Sequence, residues 1–589
     1  MASNKSFEST LHDIVYSIDT GVGLKLLRIG LYILILLIVV MIYTATQFRG
    51  LKTEESMDLV QLGRNISIKD GLATKTVRPL TMWKMQQRTP DKDPLIFSHP
   101  DLFHPPAYPA VLAAGFKLFE AAGIDPFKVS QSGRGMSMPA EQWVIIPVNH
   151  LFAILTGWMV FLLGKRLFSR EIGFLGMTIY YLSNLVWKDS ISGLNITMAG
   201  FFVMAAFYAM VVSMLNKRDN KSRTACLFPF FISIMLAAIA FLTRYITLAA
   251  IPGLCLFAFL MSGRFRGGLR YVVAFLVLFS LLISPWLIRN YKVCGNPAAM
   301  VGYTALADST HFPENSLNRE YQPELSFRSI TTTLKQKWIM NYAGKHASVA
   351  PSMGGGVLMA LFLTTFFYHF IRPQVNYLRW GVGLSFILML VLAGFFSESS
   401  VNMIHVFWPF VILYALAFFY ILIDRLDLGV RLYSMGLKLL IVILAALPLG
   451  MTLMPPHTTN HPYPPYHAPI IARVATMLNE REVMCTDMPW ATAWYGDRVS
   501  ILLPKNLDQF YEINDYQQYI SGLYFTGLTT DRPFAKDLLA GAEQEWLPIF
   551  SGRLPPDFPL KEAININQQR KDQVFFSDRN RWAESAVAQ

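Results

Sequence analysis

Apolar runs long enough to cross a bilayer recur along this chain, and that recurrence limits what it can fold into. A hydrocarbon core of about 30 Å takes roughly 20 residues of helix at 1.5 Å rise each. Such runs fall at roughly 24–46, 142–163, 171–187, 194–215, 225–242, 245–261, 271–288, 354–371, 380–396, 401–423 and 432–454. The pattern predicts an all-α polytopic membrane protein with about eleven transmembrane helices. Of 589 residues, 53% are hydrophobic and 15% charged, a balance that a soluble core alone cannot absorb. The first run follows about two dozen polar-rich residues and is too long for a signal-peptide core, so it reads as a retained span. A formal charge of +12 invites a nucleic-acid reading, but the basic residues cluster between apolar runs and form no single basic surface.

Those clusters report topology. Lys25 and Arg28 precede the first run, and alternate junctions carry Lys165, Arg166 and Arg170; Lys217, Arg218, Lys221 and Arg223; Arg264, Arg266 and Arg270; Arg372 and Arg379; and Arg425 and Arg431. Positive charge retained inside puts all of them in the cytoplasm of a multi-pass cell (inner) membrane protein, with a cytoplasmic N-terminus and an external C-terminus. Residues 1–454 then form a transmembrane domain with long external loops at 47–141 and 290–353, and residues 455–589 form an extracytoplasmic soluble domain. That last part opens on a stiff linker, MPPHTTNHPYPPYHAP, in which His457, His461 and His467 read as linker residues. Beyond it, EVMCTD and VSILLP read as strands around a helical PWATAWYG, which predicts a small α/β domain. Cys226, Cys255, Cys294 and Cys485 have no paired spacing; only Cys294 and Cys485 have a route to meet, outside the membrane.

The first external loop concentrates carboxylates. KTEESMDLVQLGRNISIKDG predicts a helix with Thr53 as N-cap and Gly71 as stop. At 100° per residue, Glu54, Asp58 and Glu55 fall at about 0°, 40° and 100°, on one side. Acids at a helix N-terminus also complement the macrodipole, which is an equal explanation of their presence. Further on, SHPDLFHPPAYPAVLAAGFKLFEAAG predicts a Pro-led second amphipathic helix, with Pro105 and Pro106 as helix openers. A carboxylate between two interfacial helices is partly desolvated, which raises its pKa and suits it to accept a proton from a sugar or lipid hydroxyl. His99, Asp101, His104 and Tyr108 are read as pocket residues; the first three are also candidate ligands for a divalent cation, at a spacing that matches no specific metal motif.

These segments resemble the GT-C superfamily of membrane glycosyltransferases, especially its bacterial branch of protein O-mannosyltransferases and lipid A aminoarabinose transferases. The family's first external loop carries an acidic motif, commonly Asp-Glu followed by Tyr and an Ala-Arg step. Here Glu54-Glu55-Ser56-Met57-Asp58 and Gly63-Arg64 stand at those places, with Glu54 for the usual first Asp and Asp58 at the Tyr position. HPPAYPAVLAAGFKLF, FLTRYITLAAIPGL and SPWLIRNYKVCGNP extend the likeness over about the first 300 residues. The resemblance implies transfer of a sugar from a polyprenyl-phosphate donor to a lipid, glycan or protein acceptor outside the cytoplasm. It implies Asp58, Glu55 or Glu54 as catalytic base, in that order of preference.

An anionic lipid head at the external interface needs cations. Arg244 in LTRY and Arg289 in PWLIRN are the candidates for the donor phosphate, joined by His405 near the external start of the tenth run. For Arg289, snorkelling is an equal explanation. Lys335, Lys337, Lys345 and His346 are weaker candidates to close over the donor, while Asn149, His150, Asp189 and Asn195 line a cavity or bond between helices. The alternatives are a transporter or lipid flippase, against which no midplane charges or matching broken helices are found, and a non-catalytic scaffold.

Overall fold

The computed structural model describes residues 22–88, 95–128, 138–344, 356–396, 402–426, 431–455, 466–530, 538–541, 543–566 and 573–582. Lys345, His346, His457 and His461 lie outside them. Among the described residues, eight helices are long and apolar enough to cross a membrane: Gly23–Gln47, Glu141–Leu167, Ile196–Arg218, Arg223–Thr243, Phe265–Cys294, Pro373–Ala393, Asn402–Arg425 and Leu432–Leu453. The chain is a multi-pass membrane protein. Tyr245–Met261 and Val357–Phe367 are shorter apolar helices, so the expected count of about eleven crossings is matched by eight long spans among the described residues and these shorter ones. The run at 171–187 folds as two pieces, Arg170–Tyr181 and Asn184–Ser190, because Ser183 takes extended backbone between them. Arg244 likewise sits in extended backbone (φ −158°, ψ 124°), ending one helix and opening a 3-10 turn at Tyr245–Ala249.

Small residues let the bundle close. Helix Ala250–Met261 crosses Pro373–Ala393 where Gly253 meets Gly381: a Cβ on Gly253 would stand 2.1 Å from the Gly381 carbonyl oxygen. Ser213 and Ser233 donate to the backbone oxygens of Cys226 and Ala206 at 2.7 and 2.8 Å, tying Ile196–Arg218 to Arg223–Thr243 without exposing a polar group to lipid. The first span is peripheral and turns Leu27, Ile33 and Leu37 outward. All four cysteines are free and buried, Cys294 at the end of a span and Cys485 inside a sheet.

Outside the spans, helix Glu54–Ser67 starts where Thr53 Oγ1 accepts from Ser56 N at 3.2 Å, as the sequence predicts. It packs on Ala107–Ala121 through Gly63, where a Cβ would meet Leu112 Cβ at 3.0 Å. The C-terminal part holds a six-stranded sheet of order β1-β3-β2-β4-β6-β5. Its strands are β1 Thr76–Val77, β2 Val483–Thr486, β3 Ser500–Leu502, β4 Ile520–Phe525, β5 Glu562–Asn565 and β6 Val574–Ser577. β1, β3, β2 and β4 are parallel neighbours, and β6 and β5 are added antiparallel. The two predicted strands and the helix between them, Pro489–Gly496, form as β2, β3 and that helix. The edge strand β1 comes from the first loop, with Thr76 opposite Ser500 and Val77 opposite Ile501. Arg64 Nη2 pairs with Asp497 at 3.1 Å, and Trp494 Nε1 donates to Glu141 Oε1 at 2.8 Å, so the loop, the sheet layer and the second span are bonded to one another.

Replacing Gly253 or Gly381 by Val is expected to force these helices apart and cost about 1–3 kcal/mol or more, read as a lowered melting midpoint in detergent. Gly30→Val, in the first span with nothing within 4 Å of its built Cβ, should leave the midpoint unchanged.

Candidate functional site

Where the span ends meet the first loop, a cavity of about 140 Å³ is lined by Glu54, Glu55, Asp58, Arg78, His104, Asn195, Arg244, Asp308, Asn315 and Asn318, with Phe103, Tyr245, Ile246 and Phe396 among its apolar walls. The shared helix face predicted for the three acids is real, and it faces this cavity. Each acid meets a different partner. Asp58, almost fully buried, pairs with Arg78, whose guanidinium also stacks over Phe103 at 4.6 Å. Glu55 pairs with Arg244 at 2.5 Å. Glu54 accepts a neutral amide, Asn315 Nδ2, at 2.7 Å.

Burial dominates the Glu54 carboxyl and pushes it up to about 7, against the lowering influence of Arg78 and of the Asn315 amide. Arg244 is aimed by its neighbours: its Nη1 donates to Asn195 Oδ1 at 2.9 Å, and Asn195 Nδ2 donates to the Thr243 carbonyl at 2.6 Å, ending the span that delivers the arginine. Arg78 follows β1 directly, and Pro79 opens the next helix, so sheet pairing fixes the arginine's backbone.

Other predicted residues lie behind the cavity. His104 lines it, and Asp101 holds it from the rear through its backbone N at 2.7 Å and Nδ1 at 3.2 Å. Burial disfavours the charged imidazole, but Asp101, Asp58 and Glu55 outweigh it and hold the His104 pKa above its ordinary value. His99 shares a 2.9 Å hydrogen bond with Thr81, and burial pushes its pKa down to about 4. These two histidines turn to different partners, and among the described residues no three His, Cys, Asp or Glu side chains gather as a metal group. The hydroxyl of Tyr108 donates to Asn149 Oδ1 at 3.2 Å and to the Gly193 carbonyl at 3.1 Å, a buried tie between loop and spans.

Arg289 lies outside the lining, donating to the Asp101 carbonyl at 2.7 Å and stacking on Trp286 at 4.9 Å. His405 bonds Asp189 at 2.8 Å in a second, smaller cavity. Lys337 is fully buried and donates to the carbonyls of Thr304, Ala305 and Ala307, bracing the segment that presents Asp308. Sequence reasoning passed over Arg78, Asp308, Asn315 and Asn318. Of these only Arg78 left a signal: a cation set between Val77 and Pro79-Leu80, which demands a buried counter-charge once that segment packs.

The fold is similar to that of solved membrane-embedded transferases. ArnT from Cupriavidus metallidurans bound to undecaprenyl phosphate superposes with a TM-score of 0.58 at 11% identity, over 94% of this chain and 98% of that one. The Archaeoglobus fulgidus oligosaccharyltransferase in its apo form gives 0.56 at 10% identity, over 87% and 71%. The same organism's AglB, in complex with an inhibitory peptide and a dolichol-phosphate, gives 0.53 at 11%, over 89% and 72%. No protein-family model and no curated protein sequence matches the chain. The likeness is therefore one of fold.

Removing one partner of the buried Arg78 pair leaves an uncompensated charge, so Asp58→Asn is expected to lose about 3–5 kcal/mol of stability. Glu54→Gln should do the opposite above neutrality. With its folded pKa raised from 4.5 to about 7, the wild-type carboxyl lowers stability progressively as pH rises between those values, and a glutamine does not titrate. Melting midpoints across pH 5 to about 8 should therefore converge at the acid end and favour Glu54→Gln at the alkaline end.

Proposed function

We propose that this chain is a glycosyltransferase that takes a sugar from a polyprenyl-phosphate carrier and attaches it to a hydroxyl- or amine-bearing acceptor on the extracytoplasmic side of the membrane. The observation that carries the reading is the single cavity holding two arginines and three loop-one carboxylates, on a fold whose solved examples include complexes with undecaprenyl phosphate and dolichol-phosphate. The external assignment rests on charge. Lys165, Arg166, Lys217, Arg218, Arg264 and Arg425 lie at the span ends opposite the cavity, as cytoplasmic junctions require.

The chemistry asks for a proton acceptor at the acceptor group and cationic stabilisation of the departing phosphate. Arg244 supplies the second role. Its fork suits a phosphodiester, and a lipid phosphate arriving there competes with Glu55 for the guanidinium. Arg78 is the second cation at the same cavity, and Arg289 acts from behind by holding the Asp101 backbone. Among the acids, Asp58 and Glu55 are each neutralised by a guanidinium, whereas Glu54 meets an amide and has a pKa near the working range. Glu54 is the base this geometry favours, ahead of the sequence-preferred Asp58, which becomes the anchor of Arg78. The acceptor's proton passes to a Glu54 oxygen as its heteroatom bonds the anomeric carbon, and the electrons of the breaking bond leave on the phosphate oxygen.

Transfer measured with the full chain in proteoliposomes, using radiolabelled polyprenyl-phosphate sugars, tests this directly. Glu54→Gln is expected to lower turnover by about 10²-fold or more, and the wild-type rate to rise with pH through about 7 as Glu54 ionises. Arg244→Gln should raise the donor KM. Unchanged transfer in Glu54→Gln would remove Glu54 as base, and no consumption of any such donor by the wild type would remove the enzyme reading.

A further inference from the structure

The sheet layer reaches the carboxylate cavity by a route that neither the fold class nor the proposed reaction uses. Asn315 and Asn318 line the cavity, and Arg319 follows them on the short helix Ser316–Arg319. Arg319 points the other way, into the C-terminal layer. Its Nη1 donates to both carboxylate oxygens of Glu543 at 2.7 Å, its Nε to the Leu503 carbonyl at 2.8 Å and its Nη2 to the Pro504 carbonyl at 3.2 Å. Both side chains are at most 5% exposed. Lys505 N closes the attachment by donating to the Arg319 carbonyl at 3.0 Å. On the cavity side, Arg319 N donates to the Asn315 carbonyl at 3.1 Å, and Asn318 Nδ2 donates to Asn315 Oδ1 at 3.2 Å, leaving Asn315 Nδ2 to meet Glu54.

We propose that Arg319 and Glu543 are positioning residues: through them the C-terminal layer holds the Asn315 amide against the Glu54 carboxylate. Leu503 and Pro504 continue directly from β3, the strand that pairs with β1 and so fixes Arg78. One strand therefore grips two of the three acids, Asp58 through β1 and Arg78, and Glu54 through Arg319 and Asn315. A buried ion pair is a weak source of stability compared with apolar packing, but here both oxygens of Glu543 hold Nη1 while Nε and Nη2 are held by the Leu503 and Pro504 carbonyls, and a guanidinium bonded on all three nitrogens is fixed in orientation. The groups that face Glu54 are Asp58 of its own helix, Arg78 from the segment after β1, Asp308 from the braced loop and Asn315; Glu55, His104 and Arg244 share the cavity.

The catalytic consequence rests on Glu54 being the base, but the test does not. Infrared titration of the full chain in detergent, as the difference between wild type and Glu54→Gln, isolates the protonated Glu54 band and gives its midpoint without any donor. Loss of the amide donor favours the protonated form. Asn315→Leu, and separately the paired replacement Arg319→Met with Glu543→Leu, which trades the ion pair for packing, should each raise the midpoint by roughly 0.5 to 1 pH unit. The triple replacement should move it no further than Asn315→Leu alone. If the paired variant does not fold, Glu543→Gln serves, since it keeps the volume and removes the negative charge that holds Arg319 Nη1. A midpoint unmoved in the folded strut variant, or additive shifts in the triple variant, would overturn the proposal. Full sugar transfer by Glu54→Gln would instead defeat the base assignment and leave the titration result standing.

Discussion

A carboxylate taken out of water must find a cation, a donor or a proton, and the architecture of this chain is arranged around that demand made three times in one turn of helix. Glu54, Glu55 and Asp58 begin the helix that follows the first span, so their placement needs nothing more than Thr53 as a cap. Their partners come from elsewhere: Arg78 from the edge of a sheet, Arg244 from the end of a span, Asn315 from the loop beyond Phe265–Cys294. Two of these three like residues face a guanidinium and the third an amide, and that difference of partner allows a division of labour among them.

Each partner is in turn held by something rigid. Arg244 is steered by Asn195, which also ends the preceding helix, and a brace at Lys337 fixes the segment that carries Asp308. Arg289 serves the same end by gripping the backbone of Asp101, which positions His104. Residues outside the cavity lining thus help determine its geometry, and among them the cations Arg289 and Lys337 serve as supports.

What the sequence revealed was local. The Thr53 cap, the common face of the three acids, the placement of Arg244 in a tight turn and the strand–helix–strand around PWATAWYG follow from spacings of a few residues, and each is present. What it concealed was long-range. Nothing within VRPLTMW says that Thr76–Val77 will pair with a strand over 400 positions later, so Arg78 could not be recognised as the partner of Asp58. Asn315 and Arg319 sit in a loop of unremarkable polarity, and their roles exist only through contacts with Glu54 and Glu543. Apolar periodicity also missed a break: a hydropathic run carries no mark of the extended residue at Ser183 that splits one helix in two.

The edge strand β1 has a further implication, for the order in which the molecule is made. The first loop emerges early in synthesis, but the strands that seat it, and the glutamate that braces Asn315, belong to the last fifth of the chain. Contacts of such sequence separation are late and slow to form. The cavity therefore stays incomplete while the spans insert, with Asp58 and Arg78 not yet locked together. A chain truncated before β2 would carry its spans but lack the strands that seat Arg78 and the glutamate that braces Asn315, and so would lack an organised cavity.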